Sequence, residues 1–322
     1  MSDNLNLWLN AARSYTLSLS AIPYLLGAFL ASVKYNCNLE FVVLGLLGVL
    51  LIHASINMLD DYHDWTSGMV KAYNDPETPQ NTRKHKAYYL EQGLFSPKKV
   101  LFGVGFCWTM AILIGLFLAW QVGFVVIQIA ALGALLAIAY TLPPLELNQK
   151  GLGELTIGII FGPLVTLGAY AVAGGNITDG VCIFSSVIMG ILIANVAHTH
   201  SILDFEADLK NNKRTLSVCL LSKNKAIYIQ LLLYILAYLI LFWAIDLDIF
   251  TKKSLLALFT LPLALELNEL LFHKDNEPKL WYGPITHLKD NEDNYFMLRI
   301  CMARNIVIFF AFFLALTYYL YG

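Results

Sequence analysis

The chain has little charge for its length and lacks most of what a soluble or secreted domain uses to hold itself together. Only 14% of its 322 residues are Asp, Glu, Lys or Arg, against 58% hydrophobic residues and a mean hydropathy of +0.62. That balance excludes a soluble domain of this size, and the chain reads as an integral membrane protein. Its five cysteines, at 37, 107, 182, 219 and 301, form no CxxC pair and no framework spacing. Each therefore reads as a small apolar core residue. Residues Met1 to Asn10 have no basic region and no cleavage site, so no signal peptide is expected. A net charge of −2 gives no sign of a nucleic-acid partner. No low-complexity tract occurs, and the glycines at 151–153 are too short a run for a phosphate-cradling loop.

What the chain has is long apolar stretches. Hydropathy predicts nine spans, at about 15–33, 41–57, 100–119, 122–141, 155–174, 180–197, 226–245, 254–272 and 300–320. The unbroken run from Val100 to Pro143 would be about 66 Å long as one helix, twice a hydrocarbon core of about 30 Å. It is read as two helices with a tight turn near Gln121-Val122-Gly123. Sidedness supports that division. With nine spans, 18 of the 21 Lys and Arg residues fall on the side of the N-terminus and the even-numbered loops, leaving Lys34, Lys252 and Lys253 opposite. The positive-inside rule places the richer side in the cytoplasm and suggests the cell (inner) membrane. The predicted fold is all-α: one domain over residues 1–322, a bundle of nine transmembrane helices with cytoplasmic cap loops at about 58–99 and 198–225.

Two acidic clusters fall at cytoplasmic span ends. The first is Asn57-Met-Leu-Asp60-Asp61-Tyr62-His63-Asp64, and the second is Asp204-Phe-Glu-Ala-Asp208, followed by Lys213-Arg214-Thr215-Leu216. At about 100° per helical residue, Asn57, Asp60, Asp61 and Asp64 share one stripe, and Asp204 and Asp208 lie one turn apart. Like charges so placed repel one another unless a cation sits among them. Oxygen-only ligands suit a hard cation, so these six residues are candidate ligands for Mg²⁺, with Mn²⁺ as a substitute. The five aspartates are also the candidate catalytic residues, because metal held on facing carboxylates stabilises a departing diphosphate. Asn57 is also a candidate substrate contact, and candidate diphosphate contacts are Arg13, Arg83, Lys84, Lys150, Lys213 and Arg214, Lys150 because it is the only basic residue of a short cytoplasmic loop. Tyr140 and Glu154 flank that loop as candidate acceptor contacts. Glu206 points off the Asp204/Asp208 face. His198 and His200 are two apart and cannot share a metal from one helix face, though His200 is on the Asp204 side. His53, one turn before Asn57, reads as a hydrogen-bonded interior histidine, and Tyr88-Tyr89 and Trp281-Tyr282 as interfacial aromatics.

The two clusters resemble the paired Asp-rich motifs of the UbiA superfamily of intramembrane prenyltransferases. Further segments are similar to its 1,4-dihydroxy-2-naphthoate polyprenyltransferase branch, and they run in order from the first span to the last. They are Trp8 to Leu17 with Pro23 and Gly27; Asp61-Tyr62-His63-Asp64 with Ser67-Gly68; and Gly93-Leu-Phe-Ser96-Pro97. After these come Tyr140-Thr141; Gly151-Leu-Gly153-Glu154 with Phe161-Gly162-Pro163; Lys213 to Leu216; and Ala303-Arg304-Asn305. The chain departs from that branch at Ser14, at Val70 and at His200-Ser201-Ile202-Leu203. The resemblance implies nine helices around a lipid-open cavity, and transfer of a polyprenyl group from an isoprenyl diphosphate to an aromatic acceptor. Within the branch that acceptor is 1,4-dihydroxy-2-naphthoate, a menaquinone precursor; 4-hydroxybenzoate, homogentisate or a glyceryl phosphate are the alternatives. The expected partners are these small molecules and membrane lipid. A transporter is the rival from another class, but it would place its acids near the bilayer midplane rather than under long loops at one end.

The topology is directly testable. A cysteine introduced at Ser67 or Asn211 should react with an impermeant thiol reagent only after the membrane is opened. Labelling of either position from outside intact cells would reverse the orientation.

Overall fold

The computed structural model describes residues 2–73, 86–273 and 294–321. Arg83, Lys84 and the Trp281-Tyr282 pair lie outside them. Among the described residues, nine helical segments are long and apolar enough to cross a membrane: Ser14–Lys34, Leu39–Thr66, Pro97–Val122, Phe124–Thr141, Gly153–Val172, Gly180–Leu203, Lys223–Asp246, Lys252–Phe272 and Phe296–Tyr321. They are called spans 1 to 9. No strand occurs among these residues; the one β-type contact is an isolated bridge between Lys150 and Arg214.

The turn inside the long apolar run falls at Gly123, whose φ of 136° lies outside the range of residues with a Cβ. Span 2 is longer than its apolar stretch. It continues to Thr66, so the 57–64 stripe is one uninterrupted helical face and not the start of a loop. Short helices occupy parts of the expected cap loops, at Val70–Tyr73, Tyr88–Glu91, Phe205–Lys210 and Leu216–Cys219. An N-terminal helix, Ser2–Ala11, packs over the same end. The rings of Trp8 and Phe95 meet at a tilt of 48° with centroids 4.6 Å apart, and Ala11, Met58, Tyr89 and Leu90 belong to the same small apolar cluster.

Span 6 packs against spans 1, 5, 7 and 9, while span 2 packs chiefly against span 3. Spans 3 and 4 turn much of their surface outward: Phe102, Trp120 and Phe124 are each more than 70% exposed. Such residues are stable only against lipid. At the end away from the acidic clusters, Asp179 Oδ2 accepts from Tyr35 Oη and Tyr170 Oη, both at 2.8 Å, and from Lys34 Nζ at 3.3 Å. Desolvation pushes this carboxyl up, but the three donors outweigh it and hold it below the usual carboxylate range. Of the cysteines, Cys182 and Cys301 are buried as expected, but Cys219 is exposed on the short helix after Thr215, and all five are free thiols.

Span 5 is built from two α-helical pieces joined by a π-helical turn at Ile160–Leu164, where Pro163 has no N–H to give to the ladder. There the backbone of span 5 touches that of span 6. A Cβ on Gly162 would lie 2.1 Å from Gly190 Cα, so only glycine fits. Gly162→Ala must push the helices apart, at a cost of about 1–3 kcal/mol. The comparison is Gly105→Ala, where a Cβ meets nothing within 4 Å. Thermal unfolding in detergent should show a lower midpoint for Gly162→Ala alone; equal midpoints would argue against this close crossing.

Candidate active site

The acidic face of span 2 is buried: Asp60 is 6% exposed, Asp61 1% and Asp64 0%. Carboxylates in such a place need counter-charge, and among the described residues Arg13 and Lys86 pair with them directly. Arg13 Nη2 donates to Asp60 Oδ2 at 2.8 Å and also pairs with Asp61. Lys86 pairs with Asp64. Asp61 Oδ2 also accepts from Tyr89 Oη at 3.2 Å, and Asp60 Oδ1 from Asn148 Nδ2 at 3.0 Å. Asp64 Oδ1 has no hydrogen-bond partner among the described residues; His63 Nδ1 lies 3.8 Å from it, and the other ring nitrogen lies 3.4 Å from Glu146 Oε1.

Arg13 reaches the carboxylates from a left-handed backbone conformation, φ 48°, between the N-terminal helix and span 1. Asn57 fixes that turn from below, its Nδ2 donating to Ala12 O at 2.9 Å and to Thr16 Oγ1 at 3.0 Å. Burial works against the Arg13 charge, but Asp61 and Asp60 outweigh it and hold the guanidinium proton more tightly than water does. Arg13 Nε is buried with no hydrogen-bond partner among the described residues.

The second cluster follows the end of span 6. Asp208 N donates to Asp204 O at 2.8 Å, which confirms the one-turn spacing, and Lys213 N donates to Asp208 O at 2.8 Å. Glu206 is exposed, as its register requires. The two histidines separate as expected: His198 Nε2 bonds Ala226 O at 2.8 Å, while His200 faces the site.

Both clusters meet in one polar cavity of about 110 Å³, lined by Arg13, Asp60, Lys86, Asp204, Asp208 and Lys213, with Tyr140, Asn148, Glu154, His200, Ser201 and Thr215 among the others. Beside it is an apolar cavity of about 510 Å³ between spans 1 to 6, walled by residues such as Val49, Ile52, Ile129, Phe161, Leu164 and Val196. Arg13, Asp60, Tyr140, Ile157, Ala197 and His200 line both, so the two spaces share a boundary. His53 is in the apolar wall, with Nδ1 2.8 Å from Ser20 Oγ and its ring 4.5 Å from that of Phe161. It is the interior histidine anticipated.

Several candidates stand elsewhere. Asn57 lines the apolar cavity and spends its amide nitrogen on the Arg13 turn. Asp61 and Asp64 lie behind the cavity lining, against their cations. Lys150 is exposed and donates to Pro144 O at 2.6 Å, and Arg214 is exposed with its backbone N on Gln149 O; neither lines the polar cavity. Lys86, Asn148 and Thr215 were not singled out, and Tyr89 is no interfacial aromatic but a 1% exposed partner of Asp61. Among the described residues, no three Asp, Glu, His or Cys side chains converge to hold a metal ion. The donor chemistry nevertheless fits a hard divalent cation. Carboxylates of Asp60, Asp204 and Asp208 line the cavity, and behind it Asp64 Oδ1 is a buried oxygen with no hydrogen-bond partner among the described residues.

A lipid-embedded helical bundle whose apolar cavity opens into a charged one defines a class of intramembrane proteins that take an apolar chain together with a polar head. The chain belongs to the UbiA prenyltransferase family, whose profile matches residues 20–287, and it is a prenyltransferase. It is 28% identical over 250 residues to UbiA prenyltransferase domain-containing protein 1 of Dictyostelium discoideum, covering 74% of this chain and 71% of that one. It is 26% identical over 243 residues to the 1,4-dihydroxy-2-naphthoate octaprenyltransferase of Bacillus subtilis, covering 76% and 73%. The fold is that of a UbiA homologue from Archaeoglobus fulgidus bound to GPP and Mg²⁺, with TM-score 0.64, 14% identity, and 94% and 99% coverage. A digeranylgeranylglyceryl phosphate synthase structure aligns with TM-score 0.62, 17% identity, and 98% and 99% coverage.

The buried pairing has a measurable consequence. Lys86→Met strands Asp64 without its cation and should cost about 3–5 kcal/mol of stability. Adding Asp64→Asn should recover part of that loss. A detergent unfolding midpoint indifferent to Lys86→Met would show that the pair carries no weight.

Proposed function

We propose that this protein transfers a polyprenyl group from an isoprenyl diphosphate to an aromatic quinone precursor, with 1,4-dihydroxy-2-naphthoate as the acceptor. The observation that carries the reading is the shared boundary between the apolar and polar cavities. An isoprenoid tail suits the first, and a diphosphate head suits the second beside Arg13, Lys86 and Lys213. The naphthoate assignment draws on the relatives of that name in Bacillus subtilis and Haemophilus influenzae, 26% and 27% identical.

Asp60, Asp204 and Asp208 would hold Mg²⁺ in the polar cavity, with Asp64 and Asp61 behind them; the Mg²⁺-bound Archaeoglobus homologue supports this choice of metal. The cation would neutralise diphosphate oxygens as the allylic C–O bond breaks. Arg13 and Lys213 orient the head and stabilise the same developing charge. Tyr140, on the boundary, offers its ring to the allylic cation at about 0.5–2 kcal/mol. The apolar wall keeps water from that carbon. The excess of basic residues around the acidic clusters supports a site facing the cytoplasm.

Transfer should stop on exhaustive chelation, and Asp60→Asn and Asp208→Asn should each lose at least about 100-fold in turnover. With carboxyl-labelled 1,4-dihydroxy-2-naphthoate, labelled CO₂ should appear in step with prenylated product, because aromaticity returns by that loss. Prenylation of 4-hydroxybenzoate with its carboxylate retained, and none of the naphthoate, would reassign the acceptor and leave the fold untouched. The glyceryl phosphate synthase neighbour makes glyceryl phosphates the second class to try.

A further inference from the structure

We propose that Glu154, with Thr215 and Asn148, forms a hydroxyl-binding subsite in which Glu154 Oε2 takes the acceptor's hydroxyl proton. This rests on the aromatic-acceptor reading above. The three residues are 7%, 8% and 3% exposed, and all line the polar cavity. Glu154 Oε1 is already engaged, accepting from Leu216 N at 3.1 Å. Glu154 Oε2, Thr215 Oγ1 and Asn148 Oδ1 are each buried without a hydrogen-bond partner among the described residues. A buried polar atom so left costs about 1–3 kcal/mol, and three around one cavity point to a ligand that satisfies them.

The chemistry of the three atoms selects that ligand. A carboxylate oxygen and an amide oxygen only accept, so they call for a donor, and Thr215 can give or receive. Phosphate oxygens are acceptors and would be repelled here; they belong with Arg13, Lys86 and Lys213. A phenolic O–H fits. Glu154 Oε2 has a second advantage, because Oε1 is tethered to the segment that carries Thr215 and Lys213. Base and diphosphate contacts are thereby tied to one frame.

The electrons balance as follows. The C–O bond to diphosphate breaks, its electron pair leaving on the diphosphate, and a ring carbon then bonds to the allylic cation. The neighbouring hydroxyl becomes a ring carbonyl, and its proton passes to Glu154 Oε2. Loss of the carboxyl group as CO₂ then returns two electrons to the ring, and the carbonyl oxygen, now an enolate, takes the proton back. Glu154 ends as it began.

The test compares 1,4-dihydroxy-2-naphthoate with its methyl ether at the hydroxyl beside the attacked carbon, in wild type and Glu154→Gln. Glutamine keeps the volume and an oxygen for Leu216 N. In the variant the ratio of turnover on the hydroxyl to that on the ether should fall about 100-fold, within the usual range for a general base. Affinity for geranyl diphosphate with Mg²⁺ should change less than twofold, showing that the loop and the donor site persist. An unchanged ratio, or an equal loss on both acceptors with a raised Mg²⁺ requirement, would overturn the assignment, the latter making Glu154 a metal ligand. If wild type prenylates no phenolic acceptor, the aromatic-acceptor reading fails and this subsite with it; transfer with an unchanged ratio removes the subsite alone.

Discussion

Three carboxylates on one face of a membrane helix can be buried only if positive charge is buried with them, and most of the end of the bundle that carries the acidic clusters follows from that constraint. Arg13 and Lys86 come from opposite directions in the chain, one before span 1 and one after span 2, yet both close on the same helical face. Each brings its own scaffold. Arg13 brings the N-terminal helix and a left-handed turn held by Asn57. Lys86 comes with the short helix whose Tyr89 reaches Asp61. Unpaired, an acid at this depth costs several kcal/mol; paired, it organises the segments around it.

The opposite wall is tied together by hydrogen bonds from main-chain N–H groups. Arg214 N bonds Gln149 O, and Leu216 N bonds Glu154 Oε1, so the loop before span 5 and the loop after span 6 form one unit. Glycines at the crossing of spans 5 and 6 let the helices beneath these loops approach to backbone contact. One wall is charged and assembled from distant segments. The other is joined by hydrogen bonds between the loops on either side of spans 5 and 6.

Much of this was legible in the sequence. Hydropathy located the nine spans, and the length limit of a bilayer put the turn of the long run at Gly123. Helical periodicity gathered the aspartates into two faces. It could not say how far span 2 continues, because its last two turns are polar and read as loop, although Asp60, Asp61 and Asp64 among them are buried. Lys86 and Tyr89 were hidden for a related reason: nothing local distinguishes a lysine paired with a buried acid from one held at a lipid surface. Lys150 is the reverse case: it stands out in sequence through the shortness of its loop, and its ammonium closes that loop on Pro144 O. Asn148, two residues away, is the one that faces Asp60. Loop polarity says that some residue will turn inward, and only the backbone says which.

The boundary between the two cavities also bears on how a molecule leaves. Lipid tails are as apolar as the walls of the larger cavity, so a tail gains little by staying there rather than dispersing into the bilayer. On the proposed function, retention of an amphiphile would then come from its head, with Arg13, Lys86 and Lys213 lining the space for it. Once the head is severed, the tail-bearing product has lost its mooring and partitions into the surrounding lipid without a separate ejecting device. The anionic fragment faces the opposite exit, toward water. One boundary residue set thus sorts two products into two phases.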